Sequence, residues 1–214
     1  MKRGFDFAAA SLALVLLSPV LLIVALFVKV TSPGPALYCG KRVGRRGRIF
    51  KMYKFRTMVA NADRLGGSCT SEGDARVTRS GYWLRKFKLD ELPQLLNVLV
   101  GDMSLVGPRP EVLEYVQLFT PEECAILSVR PGITDWASIW DRDEAQALAG
   151  HPDPERAYLE LIRPEKIRLQ LEYVRRRSFP TDLAILFETL RILVLRRSAP
   201  SSVRSAGEHE AGKI

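Results

Sequence analysis

The sequence predicts an α+β chain, mostly helical, in which an apolar N-terminal membrane helix precedes a water-facing domain with a small antiparallel sheet and surface amphipathic helices. Three observations carry this expectation. Residues 7–28 contain no charged side chain. Two short β-prone stretches, Ala36-Leu37-Tyr38 and Arg48 to Phe55, flank the glycine-bearing basic segment Gly44-Arg-Arg-Gly47, the pattern of a hairpin. From Tyr82 to Val100 the leucines at 89, 92, 95, 96 and 99 form an apolar stripe at helical spacing.

The apolar block is long enough to cross a bilayer, since 22 helical residues extend about 33 Å. Ser18-Pro19 stands in its middle, where proline removes a backbone donor and kinks a helix; the Ser18 hydroxyl can bond back to a freed carbonyl. Lys2 and Arg3 precede the block, and Lys29, Lys41, Arg42, Arg45, Arg46, Arg48, Lys51, Lys54 and Arg56 follow it with no acidic residue among them. Basic residues tend to stay cytoplasmic, so a hairpin that enters and leaves one face satisfies both flanks. Prolines also occur in ordinary spanning helices. On these residues alone, a straight span and a re-entrant hairpin both stand.

The remaining elements follow in order. Ser32-Pro-Gly-Pro35 is a stiff exit turn. Residues 59–80 are polar and glycine-rich, a loop with a short helix. Glu122 to Ser128 reads as a helix ended by Arg130-Pro131-Gly132, and Glu155 to Arg177 as a long charged helix despite Pro164. Leu183 to Leu195 is strongly apolar; core packing is the better default, with the membrane surface as the other reading. Ala199 to Ile214 reads as a disordered tail. The division is therefore 1–30 in the membrane, 31–198 as one domain and 199–214 as tail.

The formal charge of +8 is concentrated beside the apolar block. Such a cluster favours anionic lipid headgroups by about 1 kcal/mol per basic residue near the surface. It argues against a nucleic-acid partner, because no DNA- or RNA-binding motif accompanies it. Cys39, Cys69 and Cys124 are scattered without metal-ligand spacing and read as reduced thiols in a cytosol-facing domain. With only His151 and the tail residue His209, a histidine triad or histidine metal site is excluded in practice. Any chemistry falls to carboxylates and arginines.

Asp90 and Glu91 are the carboxylates of interest. With Asp90 as N-cap, Glu91, Leu92 and Pro93 form a first turn whose free N–H groups favour ionised carboxylates and phosphate. Asp is also simply a good N-cap, so the company of the pair matters. Arg85, Lys86 and Lys88 precede it. Pro108-Arg109-Pro110 follows, an arginine between two residues of fixed φ and preorganised for a bidentate phosphate contact.

The series Lys2-Arg3 with Phe5-Asp6, Ser18-Pro19, Ser32-Pro-Gly-Pro35, Tyr53-Lys-Phe-Arg-Thr-Met58, Leu89-Asp-Glu-Leu-Pro-Gln94, Asn97-Val98-Leu99, Gly101-Asp-Met-Ser-Leu-Val-Gly-Pro-Arg-Pro110 and Arg130-Pro-Gly-Ile-Thr134 resembles the bacterial sugar transferases, the monotopic phosphoglycosyl transferases that prime surface-glycan synthesis. It covers residues 2 to about 180, as in a minimal catalytic-core member. The resemblance implies transfer of a phosphosugar from a UDP-sugar to undecaprenyl phosphate, giving undecaprenyl-diphospho-sugar and UMP, at the cytoplasmic face of the bacterial inner membrane. It implies a re-entrant helix-break-helix turned at Ser18-Pro19, with Asp90 as nucleophile and Mg2+ ligand beside Glu91. Lys54, Arg56, Arg85 and Arg109 match its basic positions and are expected to contact phosphates or uridine. Pairing of two copies is compatible with it. One departure stands out: many members carry Gly-Trp-Ala-Gln-Val-Asn-Gly-Arg where this chain has Asp135-Trp-Ala-Ser-Ile-Trp-Asp-Arg142. Arg142 is retained, and the changed neighbours leave the sugar open. A catalytically silent membrane adaptor and a hydrolase of diphospholipids are the competing readings; the intact dyad with Arg85 and Arg109 speaks against the adaptor.

Overall fold

A computed structural model describes residues 1–195 apart from 63, 64, 66–69, 72, 143 and the side chain of 194. Cys69 and the expected tail, with His209, lie outside the described residues. Helix α1 (Lys2–Thr31) leads into the hairpin β1 (Leu37–Val43) and β2 (Ile49–Phe55). Helices α2 (Arg79–Lys86) and α3 (Gln94–Val100) follow, separated by a 3-10 turn at Leu89–Glu91. Next come β3 (Ser104–Val106), α4 (Leu113–Val116), a 3-10 turn at Glu123–Ser128, β4 (Gly132–Thr134) and α5 (Trp136–Trp140). The chain ends in α6 (Glu144–Ala147), α7 (Pro154–Ala157), a π turn at Tyr158–Ile162, α8 (Arg163–Arg176) and α9 (Phe179–Leu195).

The hairpin is antiparallel, with Leu37 opposite Phe55 and Val43 opposite Ile49. Its turn takes two left-handed residues, Arg46 (φ 59) and Gly47 (φ 75). Phe50 and Met52 point inward to meet Leu95, Val98 and Met103 of the α3 region and Ala10 of α1. Asn97, wholly buried, ties α3 to the hairpin. Its Oδ1 accepts from the Tyr53 N–H at 2.9 Å, and its Nδ2 donates to the Lys51 carbonyl at 2.7 Å. A second sheet, not anticipated from sequence, pairs β3 with β4 in parallel. Just past β3, Gly107 packs directly on Gly132 of β4: a Cβ on Gly132 would lie 2.1 Å from the Gly107 nitrogen. Backbone cannot yield there as a side chain can. Gly132→Ala is therefore expected to lower Tm by about 10 °C; an unchanged thermal midpoint would show that the two strands are not held in register here.

Several sequence expectations need correction. The stretch from Tyr82 to Val100 is two helices rather than one. Lys88 adopts a left-handed conformation (φ 56), and Pro93 has no N–H to give the Leu89 carbonyl, so the chain takes a 3-10 turn before α3 begins. Asp90 is consequently inside that turn and not an N-cap. The expected helix at Glu122–Ser128 is a 3-10 turn. The long charged helix is real but passes through the π turn just before Pro164.

Helix α1 stays helical through Pro19, so the expected break is replaced by one continuous helix. The physical reason is local. Proline frees the carbonyl four residues back, Val15, and the Ser18 hydroxyl donates to that oxygen at 2.8 Å. One stripe of α1 packs on the domain: Ala10, Ala13, Leu14 and Leu17 against the hairpin–α3 core, then Leu21, Val24, Ala25 and Val28 against Phe55, Leu84 and Leu89. The remaining circumference is exposed and apolar, including Leu12, Val15, Leu22, Ile23 and Leu26. Only 11% of its most apolar window is buried, unlike the core helix of a soluble protein.

Both ends of α1 are fastened to the same body. At the start, Lys2 reaches Asp182 at 2.5 Å and the Val106 carbonyl at 3.0 Å. The buried Asp6 carboxylate accepts from Ser104 Oγ at 2.8 Å and the Leu105 N–H at 3.2 Å. At the end, Ser32 is buried against Arg56. The flanks of α1 are apolar as well. Tyr82, Trp83 and Phe87 of the α2 region, Leu96 and Val100 of α3, and Leu183, Phe187 and Leu190 of α9 are exposed. Helix α9 therefore divides its faces, burying Ile185 and Ile192 while its other apolar side stays open, which qualifies the core-packed default.

Candidate active site

Four elements converge on the acid pair. The 3-10 turn after Lys88 carries Asp90 and Glu91, β2 supplies Lys54, α2 supplies Arg85, and the proline-braced loop after β3 supplies Arg109. Glu91 is saturated. Its Oε1 accepts from Lys54 Nζ at 3.0 Å and from Arg109 Nη2, and its Oε2 accepts from Arg109 Nη1 at 3.1 Å. The bidentate geometry expected between Arg109 and a phosphate is thus made with Glu91. Burial pushes Glu91 up, but Arg109 and then Lys54 outweigh that and hold it well below the carboxylate range. Burial pulls Lys54 down, with Glu91 opposing; Glu91 in turn raises Arg109.

Asp90 is the opposite case. It is only 6% exposed, yet it makes no hydrogen bond or ion pair with any described residue. Burial raises its carboxyl, partly countered by Lys54 and Arg85. Arg85 is anchored through Nε to Thr57 Oγ1 at 2.9 Å, which leaves its Nη groups without a described partner. Thr57 can do this because α2 lies hard against it: a Cβ on Gly81 would fall 1.9 Å from the Thr57 carbonyl oxygen. One turn on from Asp90, Gln94 is wholly buried with both amide atoms unpartnered. An open carboxylate, open guanidinium nitrogens and an orphaned amide together mark a site whose partners come from a ligand or solvent.

The structure therefore gathers Lys54, Arg85, Asp90, Glu91 and Arg109. It does not put Arg56 with them. Arg56 is buried at the exit of α1, donating from Nε to the Pro35 carbonyl at 2.7 Å, from Nη1 to Ser32 Oγ and the Pro33 carbonyl, and from Nη2 to the Ser32 carbonyl at 2.8 Å. It clamps the Ser32-Pro-Gly-Pro35 turn, since prolines leave carbonyls without a local partner, so the structure gives a structural use to the residue expected to contact substrate. Arg56→Ala should cost about 3 kcal/mol of stability while leaving the KM for donor unchanged. A raised KM at unchanged stability would restore the substrate role.

Arg142 lies half-buried in the turn between α5 and α6. The altered residues before it have a local purpose. Asp135 caps α5, its Oδ1 accepting from the Ser138 N–H at 2.7 Å and Ser138 Oγ at 2.6 Å, so the Asp and Ser replacements work as a pair. Beyond Arg109, sequence reasoning missed a buried network. Lys166 Nζ meets Glu111 at 2.9 Å and Tyr158 Oη at 3.0 Å, and Gln170 donates to the Arg109 carbonyl at 3.4 Å. Nearby, burial and the hydrogen-bonded Glu144 push the Asp141 carboxyl well above its ordinary value.

The arrangement suits chemistry on phosphates: a free, buried carboxylate in a field of cations, with its neighbour carboxylate holding two of them in place. Comparison with known proteins agrees. A family model described as bacterial sugar transferase matches residues 1–196. The chain is 40% identical over 197 residues to the UDP-N-acetylgalactosamine-undecaprenyl-phosphate N-acetylgalactosaminephosphotransferase of Aeromonas hydrophila, covering 91% of this chain and 44% of that protein. It is 40% identical over 201 residues to the UDP-glucose:undecaprenyl-phosphate glucose-1-phosphate transferase of Caulobacter vibrioides, covering 92% and 71%. It is 36% identical over 213 residues to the exopolysaccharide production protein ExoY of Rhizobium meliloti, covering 92% and 87%. The chain thus spans less than half of the Aeromonas relative. It belongs to the bacterial sugar transferase family.

Proposed function

We propose that this chain transfers a phosphosugar from a UDP-sugar to undecaprenyl phosphate, releasing UMP and priming a surface glycan or exopolysaccharide. The supporting observation is the asymmetry of the dyad: Glu91 is bonded by Lys54 and Arg109, whereas buried Asp90 is bonded by nothing described. A nucleophile must have free lone pairs, so Asp90 takes that role. An Asp90 oxygen bonds to the phosphorus bearing the sugar as the bond to UMP breaks, and UMP leaves with the electron pair. An oxygen of undecaprenyl phosphate then bonds to that phosphorus, and the acyl-phosphate bond breaks to restore the carboxylate. Arg85 offers open nitrogens to the diphosphate, while Glu91 positions Lys54 and Arg109 beside it.

Among the described residues no three metal-ligating side chains cluster. The fit to a magnesium ion rests instead on the open Asp90 carboxylate, a hard oxygen donor of the kind that ion takes. Asp90 would hold it; the orphaned Gln94 oxygen lies one turn further on. When bound, the ion offsets diphosphate charge that repels an anionic nucleophile.

Helix α1 is what supports a membrane placement. Its exposed face is apolar, and a crossing would pull Lys2 and Asp6 from Asp182 and Ser104. We therefore place α1 in one leaflet, with both of its ends held at the cytoplasmic face of the inner membrane and the exposed aromatics of α2 at the headgroup level. The test is purified chain with magnesium and a panel of UDP-sugars, with and without undecaprenyl phosphate. Acceptor-dependent, repeated UMP release is expected for at least one donor. No release from any donor would favour the silent adaptor, and release without a lipid-linked sugar product would favour a hydrolase.

A further inference from the structure

Away from Asp90, a cavity of about 370 Å³ opens where the start of α1 meets β3, the segment Ser128–Arg130 and the junction of α8 with α9. None of its lining residues belongs to the Asp90 cluster. Lys2, Arg3, Arg45, Arg130 and Arg177 all line it. The two carboxylates present are already engaged, Asp182 by Lys2 and by Tyr173 Oη at 2.7 Å, and Asp6 by Ser104 and the Leu105 N–H. Arg3, Arg45 and Arg130 are held by carbonyls, which fix them without cancelling their charge. Arg3 bonds the Val98 and Leu99 carbonyls at the end of α3.

Arg130 donates from Nε to the Gly101 carbonyl at 2.9 Å, and Arg45 from Nε to the Ser128 carbonyl at 3.1 Å. Anchoring through Nε sets the plane of each guanidinium and leaves its Nη groups without a described partner. Arg177 has no described partner at all. Cationic forks fixed in this way suit an oxyanion with several acceptor oxygens. The rim says where that anion comes from. Phe179 lines the cavity, is half-exposed, and meets the ring of Phe5 edge-on at 5.3 Å. From that pair the exposed apolar faces of α1 and α9 run on through Phe7 and Leu183.

We propose that this cavity binds the phosphate of an anionic membrane phospholipid, seating its headgroup among Arg45, Arg130 and Arg177 with its chains along Phe5 and Phe179. Its lipid source rests on the membrane placement of α1, but the site is independent of the transfer reaction, and its test reads binding rather than turnover.

The full chain in neutral detergent is mixed with short-chain phosphatidylglycerol, short-chain phosphatidylcholine or inorganic phosphate, and lipid retention is read by native mass spectrometry alongside Tm. Phosphatidylglycerol should be retained over phosphatidylcholine by at least about tenfold and should raise Tm. The double variant Arg45→Gln with Arg177→Gln should lose most of that preference while its lipid-free Tm stays at the wild-type value. Arg48→Gln with Lys51→Gln, also exposed but outside the lining, should keep it. Equal retention of the two lipids, or an undiminished preference in the Arg45/Arg177 variant, overturns the site. Stabilisation by inorganic phosphate equal to that by phosphatidylglycerol overturns the lipid as its ligand.

Discussion

Asp90→Asn is expected to abolish turnover, lowering UMP release by at least about a thousandfold, while leaving the fold intact or more stable. The second half separates this account from simple unfolding. Burial raises the Asp90 carboxyl above its ordinary value. A group whose folded pKa is raised penalises the folded state once pH climbs past the unfolded value, because the charged form is then disfavoured in the native site. Asparagine removes that penalty, so Tm at neutral pH should equal or exceed that of the wild type. Such a trade of stability for function is common where a site holds an unpaired group. A variant that is inactive and also strongly destabilised would point to a structural role instead.

Glu91→Gln should do the reverse, losing both stability and rate. It would leave Lys54 and Arg109 without their carboxylate partner, each largely buried. Breaking one side of such a group costs about 3 kcal/mol, and the rate should fall by about a hundredfold as the two cations lose their positions. The sign of the pH dependence is fixed too. Glu91 is held well below its ordinary value of 4.5, so its contribution is complete above that value and is lost as pH falls toward the folded one. The stability gap between wild type and variant should be constant near neutrality and narrow in acid. A gap that widens in acid would contradict the ion-pair assignment. A wild-type rate in Glu91→Gln would reduce Glu91 to a member of the turn.

Much of this was legible in the sequence because it is written locally. The apolar block, the hairpin around Gly44–Gly47, the acid pair and the proline-braced Arg109 each depend on near neighbours. What the sequence could not convey was pairing across distance. Arg56 and Arg109 look alike as loop arginines, yet one is claimed by the carbonyls of the Ser32-Pro-Gly-Pro35 turn and the other by Glu91. Asp90 looks like an N-cap because Pro93 suits a first turn; the left-handed Lys88 moves the helix start past it. The parallel pairing of β3 with β4 left little trace, since three-residue strands carry no alternation to read. The Glu111, Tyr158 and Lys166 network joins residues far apart in the chain, and no spacing rule relates them. Pro19 signalled a lost backbone hydrogen bond, but the Ser18 hydroxyl satisfies the freed carbonyl and the helix continues.

Peptide mass spectrometry of enzyme quenched soon after mixing with the UDP-sugar it turns over, in the absence of undecaprenyl phosphate, tests the central claim most directly. The account predicts a phosphosugar adduct on the peptide containing Asp90, discharged when the lipid phosphate is added and absent from Asp90→Asn. Lipid-linked product accumulating while that peptide stays unmodified at every time point would contradict it.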